Sequence, residues 1–173
     1  MLVGVLDRDN PELLLTRRAA HLANHGGQVS FPGGAADRDD PSGVSTALRE
    51  AREEIGLQPR LVQPVGFLNR IDTPTDFRIL PVVGLVHQAP PFKPDPAEVE
   101  EVFTVPLAAT LDATAWEQRV VEHQGLRRVV HSLHWGRHLI WGATAAIVMD
   151  LAQRLAGGTL IHPHGGRPGG NAP

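Results

Sequence analysis

Short apolar runs separated by polar turns are the main pattern along this chain. Residues 2–6 and 12–16 are apolar on either side of the polar segment 7–11, a pattern that predicts a β-hairpin. Runs rich in β-branched and apolar residues predict further strands at 61–68, 79–87, 102–105, 117–123 and 127–134. Polar turns are expected between them at 69–76 and 124–125.

Apolar residues spaced three and four apart predict helices instead. Four such residues recur within 45–55, and Gly56 is expected to end this helix. A long apolar helix is predicted from Ile140 to Leu155 and a short one at 106–112. Because strands dominate and helices are interspersed, we expect an α+β fold, an α/β/α sandwich with a mixed sheet between helices.

Two segments are too rich in glycine, proline and aspartate to form regular elements. Residues 21–46 make an unusually long connection, and loops of this length inside a domain are usually functional. Residues 90–97 hold four prolines and are predicted to be a loop. We therefore expect one domain over 1–160, followed by a flexible Gly/Pro-rich tail at 161–173.

Composition narrows the classes of function. The chain has 173 residues, a net charge of -3 and no cysteine, so thiolate metal sites and a cysteine nucleophile are excluded. No apolar run is long enough to cross a membrane, and no overall positive charge attracts nucleic acid. We expect a cytoplasmic protein that binds neither nucleic acid nor membrane; the sequence leaves a homodimer open.

The segment with the clearest chemistry is the predicted helix, which reads Arg49-Glu50-Ala51-Arg52-Glu53-Glu54. Three glutamates share one face of it, where each like-charge pair costs roughly 0.2–0.5 kcal/mol. A bound Mg²⁺ or Mn²⁺ would offset that cost, since both ions prefer carboxylate oxygens. The alternative is a solvated charged face whose acids pair with arginines. Glu53 and Glu54 are expected to lie outside the core.

The segments around this helix resemble the Nudix box, in which a glycine and a glutamate precede the run R-E-U-x-E-E-x-G-U. Here Phe31-Pro32-Gly33-Gly34 precedes the helix, and Arg49 to Leu57 matches the run in order. The first glutamate of the box falls on Asp40, and eight residues rather than seven separate it from Arg49. The sequence assigns no metal role to Asp40.

A second resemblance is to Nudix enzymes that act on coenzyme A, which carry L-L-T-x-R-[SA] and a later arginine ahead of the box. This chain reads Leu14-Leu15-Thr16-Arg17-Arg18-Ala19, with Ala23 in place of the later arginine. Segments 98–107 and 141–145 are similar to the same group. The resemblance implies hydrolysis of the diphosphate of coenzyme A to 3′,5′-ADP and 4′-phosphopantetheine. Ala23 keeps ADP-ribose or a dinucleotide open as the substrate.

The resemblance also implies roles for individual residues. Glu50, Glu53 and Glu54 are expected to bind Mg²⁺ or Mn²⁺, and Arg49 to orient a glutamate. The general base is expected to be one of these helix glutamates or an acid of the segment after the proline loop, which carries Glu98, Glu100 and Glu101. A third hypothesis is a binding module that keeps the fold without turnover.

Cations and close backbone approach are needed wherever substrate phosphates bind. Arg17 and Arg18, at the end of the second strand, are candidates for phosphate binding, and Gly33 and Gly34 allow a ligand to approach the backbone. The nine histidines include no His-Glu-x-x-His run, so the sequence predicts no zinc site.

Overall fold

The computed structural model describes residues 1–73, 77–88, 91–123 and 126–157. In chain order the strands are β1 (Leu2–Leu6), β2 (Glu12–Arg18), β3 (Val29–Ser30), β4 (Val62–Phe67), β5 (Ile71–Asp72), β6 (Arg78–Ile79), β7 (Val82–Val86), β8 (Val99–Pro106), β9 (Trp116–His123), β10 (Leu126–Trp135) and β11 (His138–Trp141). The helices are α1 (Gly43–Ile55), α2 (Leu107–Leu111) and α3 (Gly142–Leu155). Short 3₁₀ turns occupy Pro59–Leu61 and Ala113–Ala115.

A six-stranded mixed sheet forms the centre of the molecule, in the order β3-β2-β1-β7-β4 with β8 also paired to β2. Strands β1 and β7 run parallel, and the other pairs of this sheet are antiparallel. The hairpin predicted from residues 2–6 and 12–16 is present as β1 and β2. The predicted mixed sheet is confirmed.

Alternation along the central strands divides the core into two layers. Leu2, Leu6 and Leu14 pack with the buried face of α1, while Val3, Val5, Leu13 and Leu15 pack with α3 on the other face. Successive side chains of a strand point to opposite faces, so β1 and β2 serve both layers at once. The helices therefore cover both faces of the sheet, as the predicted sandwich requires.

The fold departs from the predicted elements where pairing between distant segments decides the backbone. Residues 138–141 form β11 against β10, so the last helix begins at Gly142 rather than at Ile140. The predicted turn at 69–76 contains β5, which pairs with β6. The long segment 21–46 contains β3 and the first turn of α1. These predictions were wrong because strand pairing, rather than local composition, supplies the hydrogen bonds of β3, β5 and β11, and because the N-cap Ser42 sets the start of α1.

Several predicted features lie outside the described residues: part of the 69–76 turn, Pro90, the turn at 124–125 and the tail at 161–173. Within the described part of the proline loop, residues 91–97 form neither helix nor strand. Of the helices that the structure describes, none combines the length and apolar character needed to cross a membrane.

Candidate active site

Helix α1 is fixed at both ends by caps that its own sequence supplies. Ser42 is the N-cap, and its hydroxyl accepts a 3.1 Å hydrogen bond from the backbone N–H of Ser45. Gly56 ends the helix with a φ of 72°, and its N–H donates to the carbonyl of Arg52 at 2.9 Å. The apolar stripe Ala47, Ala51, Ile55 is fully buried, which orients the acidic face toward the 31–35 loop.

Glu54 lies at the centre of the candidate site. Its side chain is only 3% exposed, and its Oε2 accepts a 3.0 Å hydrogen bond from the N–H of Gly33. The expectation that Glu54 lies outside the core is wrong, because the loop at Gly33 covers it. Glu53 is 46% exposed. The two adjacent glutamates therefore have different surroundings.

The surroundings of Glu54 shift its carboxyl toward the neutral form, compared with a carboxyl in water. Burial is the largest cause that raises the pKa of the Glu54 carboxyl to about 7, although the hydrogen bond from Gly33 opposes it. The charges of Glu98 and Glu50 add to the rise, and Arg18, whose Nη1 is 4.0 Å from Glu54 Oε1, offsets part of it. Burial is therefore the main reason that the Glu54 carboxyl binds a proton more readily than a carboxyl in water does.

Arg49 connects four oxygen-bearing groups at the start of the site. Its Nε and Nη2 donate to the two oxygens of Asp40 at 3.1 and 2.8 Å, and Nη2 also donates to the carbonyl of Ala35 at 3.0 Å. Its Nη1 donates to Glu50 Oε1 at 2.8 Å and to Glu53 Oε2 at 2.9 Å. This guanidinium holds the pKa of the Asp40 carboxyl well below its usual range. Arg49 is therefore in contact with two of the predicted metal ligands.

Sequence reasoning missed the part that Asp40 plays in the site. The signal was present, since Asp40 occupies the place of the first glutamate of the Nudix box. The extra residue before Arg49 obscured it. A bidentate aspartate–arginine pair needs only the two side chains to meet in space, which spacing along the chain does not reveal.

Gly33 and Gly34 bring the backbone against the acids. At Gly34 an added Cβ would lie 2.5 Å from Glu50 Oε2. Gly33 has a φ of 151°, and its Cβ would lie 2.5 Å from the Cα of Met1. Position 33 therefore requires glycine for its backbone conformation, whereas a side chain at position 34 would displace the carboxylate of Glu50.

Gly34→Ala should lower turnover by about 100-fold, since the new methyl group must displace the Glu50 carboxylate, and a misplacement of about 1 Å has effects of that order. Steady-state kinetics measured well below the unfolding temperature tests this. Gly27→Ala is the control: its φ of 73° also disfavours alanine, but the new Cβ would meet nothing within 4 Å. Equal activities of the two variants would contradict the placement of Glu50 in the site.

The three acids of β8 and its approach have different partners. The carbonyl of Glu98 accepts from the N–H of Ala19 at 2.9 Å, and its charge acts on Glu54. Glu100 Oε2 lies 3.6 Å from Arg17 Nε. The structure places Glu101 2.7 Å from Arg137. Among these three rivals for the general base, Glu98 is the one whose charge affects the buried acid.

The two predicted phosphate-binding arginines separate in the structure. Arg18 lies beside Glu54, whereas Arg17 lies beside Glu100. A bulge between them shifts the register of β2 against β8. Arg18 is therefore the arginine that the fold brings close to the glutamates of α1, which we call the acid helix.

The donor chemistry of the site fits a divalent cation shared with substrate. In the part of the chain that the structure describes, no three acidic or histidine side chains already form a metal-holding group. Mg²⁺ usually binds through one or two carboxylates together with substrate phosphates rather than in an all-protein cage. Glu50 and Glu54 offer such carboxylates, and their side chains are 13% and 3% exposed.

Comparison with known proteins gives a consistent result. A family model described as the NUDIX domain matches residues 1–124. The Nudix hydrolase NudL of Pectobacterium atrosepticum, named as uncharacterized, is 41% identical over 156 residues, which are 90% of this chain and 81% of that protein. The NudL of Yersinia pestis strain Pestoides F is 39% identical over 90% of this chain and 78% of its own.

A solved structure agrees on the fold. The Nudix hydrolase RenU from M. smegmatis superposes with a TM-score of 0.52 and 20% sequence identity, covering 90% of this chain and 83% of that one. At this identity the likeness supports the architecture alone.

Proposed function

Because the chain belongs to the Nudix family of hydrolases, we propose that it hydrolyses the diphosphate bond of coenzyme A or its derivatives, giving 3′,5′-ADP and 4′-phosphopantetheine. The observation that best supports this type of reaction is the buried Glu54, which accepts a hydrogen bond from Gly33 and has Glu50 and Arg18 close to it. The coenzyme A assignment is supported by the segment from Leu14 to Gly34, which contributes both Arg18 and the glycine loop to this site.

Each residue has a distinct part in the proposed reaction. Glu50, Glu53 and Glu54 would hold Mg²⁺ or Mn²⁺, which when bound neutralises phosphate oxygens and lowers the pKa of a bound water. Arg49 positions Glu50 and Glu53 through the hydrogen bonds of its Nη1. Arg18 donates to a phosphate oxygen of the substrate.

The proton of the attacking water needs an acceptor. We assign this to Glu98, whose carboxylate charge reaches the buried acid and whose backbone is fixed to Ala19. The water oxygen forms a bond to phosphorus, its proton passes to Glu98, and the broken P–O bond leaves its electron pair on the departing phosphate. The contact of Gly33 with Glu54 keeps water from that carboxyl, which strengthens its interactions with neighbouring charges.

One observation favours a second candidate substrate. Ala23 is exposed in the loop between β2 and β3. It occupies the position at which the pattern of the coenzyme A enzymes has an arginine. Without that arginine, a diphosphate lacking the 3′-phosphate, such as ADP-ribose or a dinucleotide, loses less binding energy than coenzyme A does. The cytoplasmic location stays a prediction, and so does the possible homodimer.

Product analysis tests the function directly. We expect the protein, with Mg²⁺ or Mn²⁺, to release 3′,5′-ADP from coenzyme A faster than it cleaves ADP-ribose or diadenosine polyphosphates. Chelation of the metal should abolish release, because the acids alone leave the phosphate charge unbalanced. The Glu53→Gln variant, purified in parallel, controls for contaminating phosphatases. Preferential cleavage of ADP-ribose would replace the coenzyme A assignment, and binding without hydrolysis would support the non-catalytic alternative.

Ala23→Arg tests the departure from the coenzyme A pattern. Restoring the arginine should raise kcat/KM for coenzyme A by about tenfold, the effect of one charge-assisted hydrogen bond partly exposed to solvent. Dephospho-coenzyme A, which lacks the 3′-phosphate, should show no such gain. Ala23→Gln is the control for side-chain size without charge. An equal gain for both substrates would show that position 23 does not read the 3′-phosphate.

A further inference from the structure

A groove of about 450 Å³ opens beside the candidate active site. One side is lined by Ala19, Ala20 and His21, which follow the end of β2. The other side is lined by Pro94, Pro96 and Val99, from the proline loop and the start of β8. Five of the seven lining residues are apolar, the other two are His21 and Glu100, and none belongs to the acid helix.

Backbone hydrogen bonds fix this groove to the acid helix. The N–H of Asp95 donates to the carbonyl of Glu54 at 2.8 Å, and the N–H of Lys93 donates to the carbonyl of Ile55 at 3.0 Å. The opposite wall is tied to the approach to β8 through the 2.9 Å bond from Ala19 to Glu98. The groove therefore adjoins the backbone of Glu54 and Glu98, so a substrate whose diphosphate lies against these residues has one end within reach of it.

The charge of the lining distinguishes between the two ends of such a substrate. Among the described residues that line the groove there is no lysine or arginine, and the one acid, Glu100, lies 3.6 Å from the Nε of Arg17. A phosphate group would thus find a carboxylate in the lining and no permanently charged cation, since the one basic side chain there is the imidazole of His21. The lining includes no phenylalanine or tryptophan on which an adenine ring would stack, and its one aromatic ring is the smaller imidazole of the exposed His21. An uncharged, flexible, partly apolar chain meets none of these costs.

We propose that this groove binds the pantetheine half of the substrate, with the 3′,5′-ADP half on the opposite side of the diphosphate. The inference rests on the proposed function and extends it, because it assigns an orientation to the substrate and makes Ala20 a specificity-determining residue. The small side chains at Ala19 and Ala20 leave room for the chain and for an acyl group on its thiol. An exposed methyl at position 20 lines the groove without contributing to the core.

The test uses two product fragments as separate probes on the full chain with Mg²⁺. Ala20→Leu narrows the groove, and the Kd of 4′-phosphopantetheine, measured by titration calorimetry, should rise by roughly tenfold or more. The Kd of 3′,5′-ADP should stay within about twofold. Ala146→Leu is the matched control, since Ala146 is an equally exposed alanine on α3 that lines a different groove, and it should change neither value.

A measurement on the unchanged protein keeps the proposal testable if Ala20→Leu does not fold. In ¹H–¹⁵N spectra, 4′-phosphopantetheine should shift the amides of residues 19–21 and 97–100 more than 3′,5′-ADP does. The reverse pattern, or a Kd for 3′,5′-ADP that rises as much as that of 4′-phosphopantetheine, would overturn the assignment. Failure of the proposed function has a different signature, in which 4′-phosphopantetheine binds the groove but coenzyme A is not hydrolysed.

Discussion

Glu54→Gln should lower turnover by roughly 10²–10⁴-fold and at the same time raise the thermal stability of the metal-free protein at pH 8. Glutamine keeps the size of the side chain and retains an oxygen to accept from Gly33, so the fold should survive. It cannot carry the negative charge that a cation and its water require. A catalytic loss accompanied by a stability gain identifies a buried charge that is kept for chemistry rather than for folding.

The sign of the stability effect follows from the pKa of Glu54, which burial raises from the ordinary range of a glutamate to about 7. The folded protein then binds a proton more tightly than the unfolded chain does. The stabilisation from protonated Glu54 is fully present below about pH 4.5 and is lost as pH rises through about 7. Glu54→Gln removes this loss of stability at high pH. The melting temperature of the variant should therefore exceed that of the wild type by a larger margin at pH 8 than at pH 5.

Thermal unfolding at the two pH values, after removal of metal, measures this difference. The control is Glu122→Gln, an exposed glutamate on β9, which should alter neither activity nor the pH dependence of unfolding. Activity of Glu54→Gln within about threefold of the wild type would remove Glu54 from the catalytic set. A lower melting temperature at pH 8 would show that the carboxylate is stabilised by partners other than those described.

Arg49→Lys should also reduce turnover strongly, by about 100-fold, although the charge is retained. Lysine has three donors on one nitrogen and cannot reach Asp40, Ala35, Glu50 and Glu53 together, as the planar guanidinium does. Glu50 and Glu53 would then lose their fixed positions. We expect the loss mainly in kcat, since Arg49 acts through the glutamates rather than on the substrate.

The kcat and KM of Arg49→Lys, compared with those of Arg52→Lys, test this role. Arg52 lies on the same helix, but it is 54% exposed and its guanidinium is as far as 4.0 Å from the Glu53 carboxylate. This contact is weak, so replacement of Arg52 should have little effect. Asp40→Asn should produce a smaller loss of the same kind, because it removes charge from one end of the Arg49 contact. A loss confined to KM would instead indicate that Arg49 touches the substrate.

Stability against acid provides an independent check on the Asp40–Arg49 pair. Because the arginine lowers the pKa of Asp40, the pair contributes stability above the ordinary pKa of an aspartate, and this contribution is lost as pH falls through the folded value. Asp40→Asn should therefore unfold with a weaker dependence on pH in acid than the wild type.

Local pattern was sufficient for most elements of this fold. The spacing of apolar residues placed α1 within two residues of its observed bounds, since the predicted 45–55 compares with Gly43–Ile55. Short apolar runs located β1, β2, β4 and β7. These elements are determined by residues close in sequence, because a helix or strand buries whichever side chains its own period brings to one face. The same reasoning placed three glutamates on one face of α1.

What the sequence by itself determined about this protein is therefore its family, the order of its main elements and the acids that share a helix face. Only the tertiary structure decided which acid is buried, since the cover over Glu54 comes from Gly33, twenty-one residues earlier. It also decided that Asp40 holds Arg49, that residues 138–141 pair as a strand and that Arg18 rather than Arg17 meets the acids. Burial, charge pairing and strand pairing depend on groups that are distant along the chain, and no local period encodes those distances.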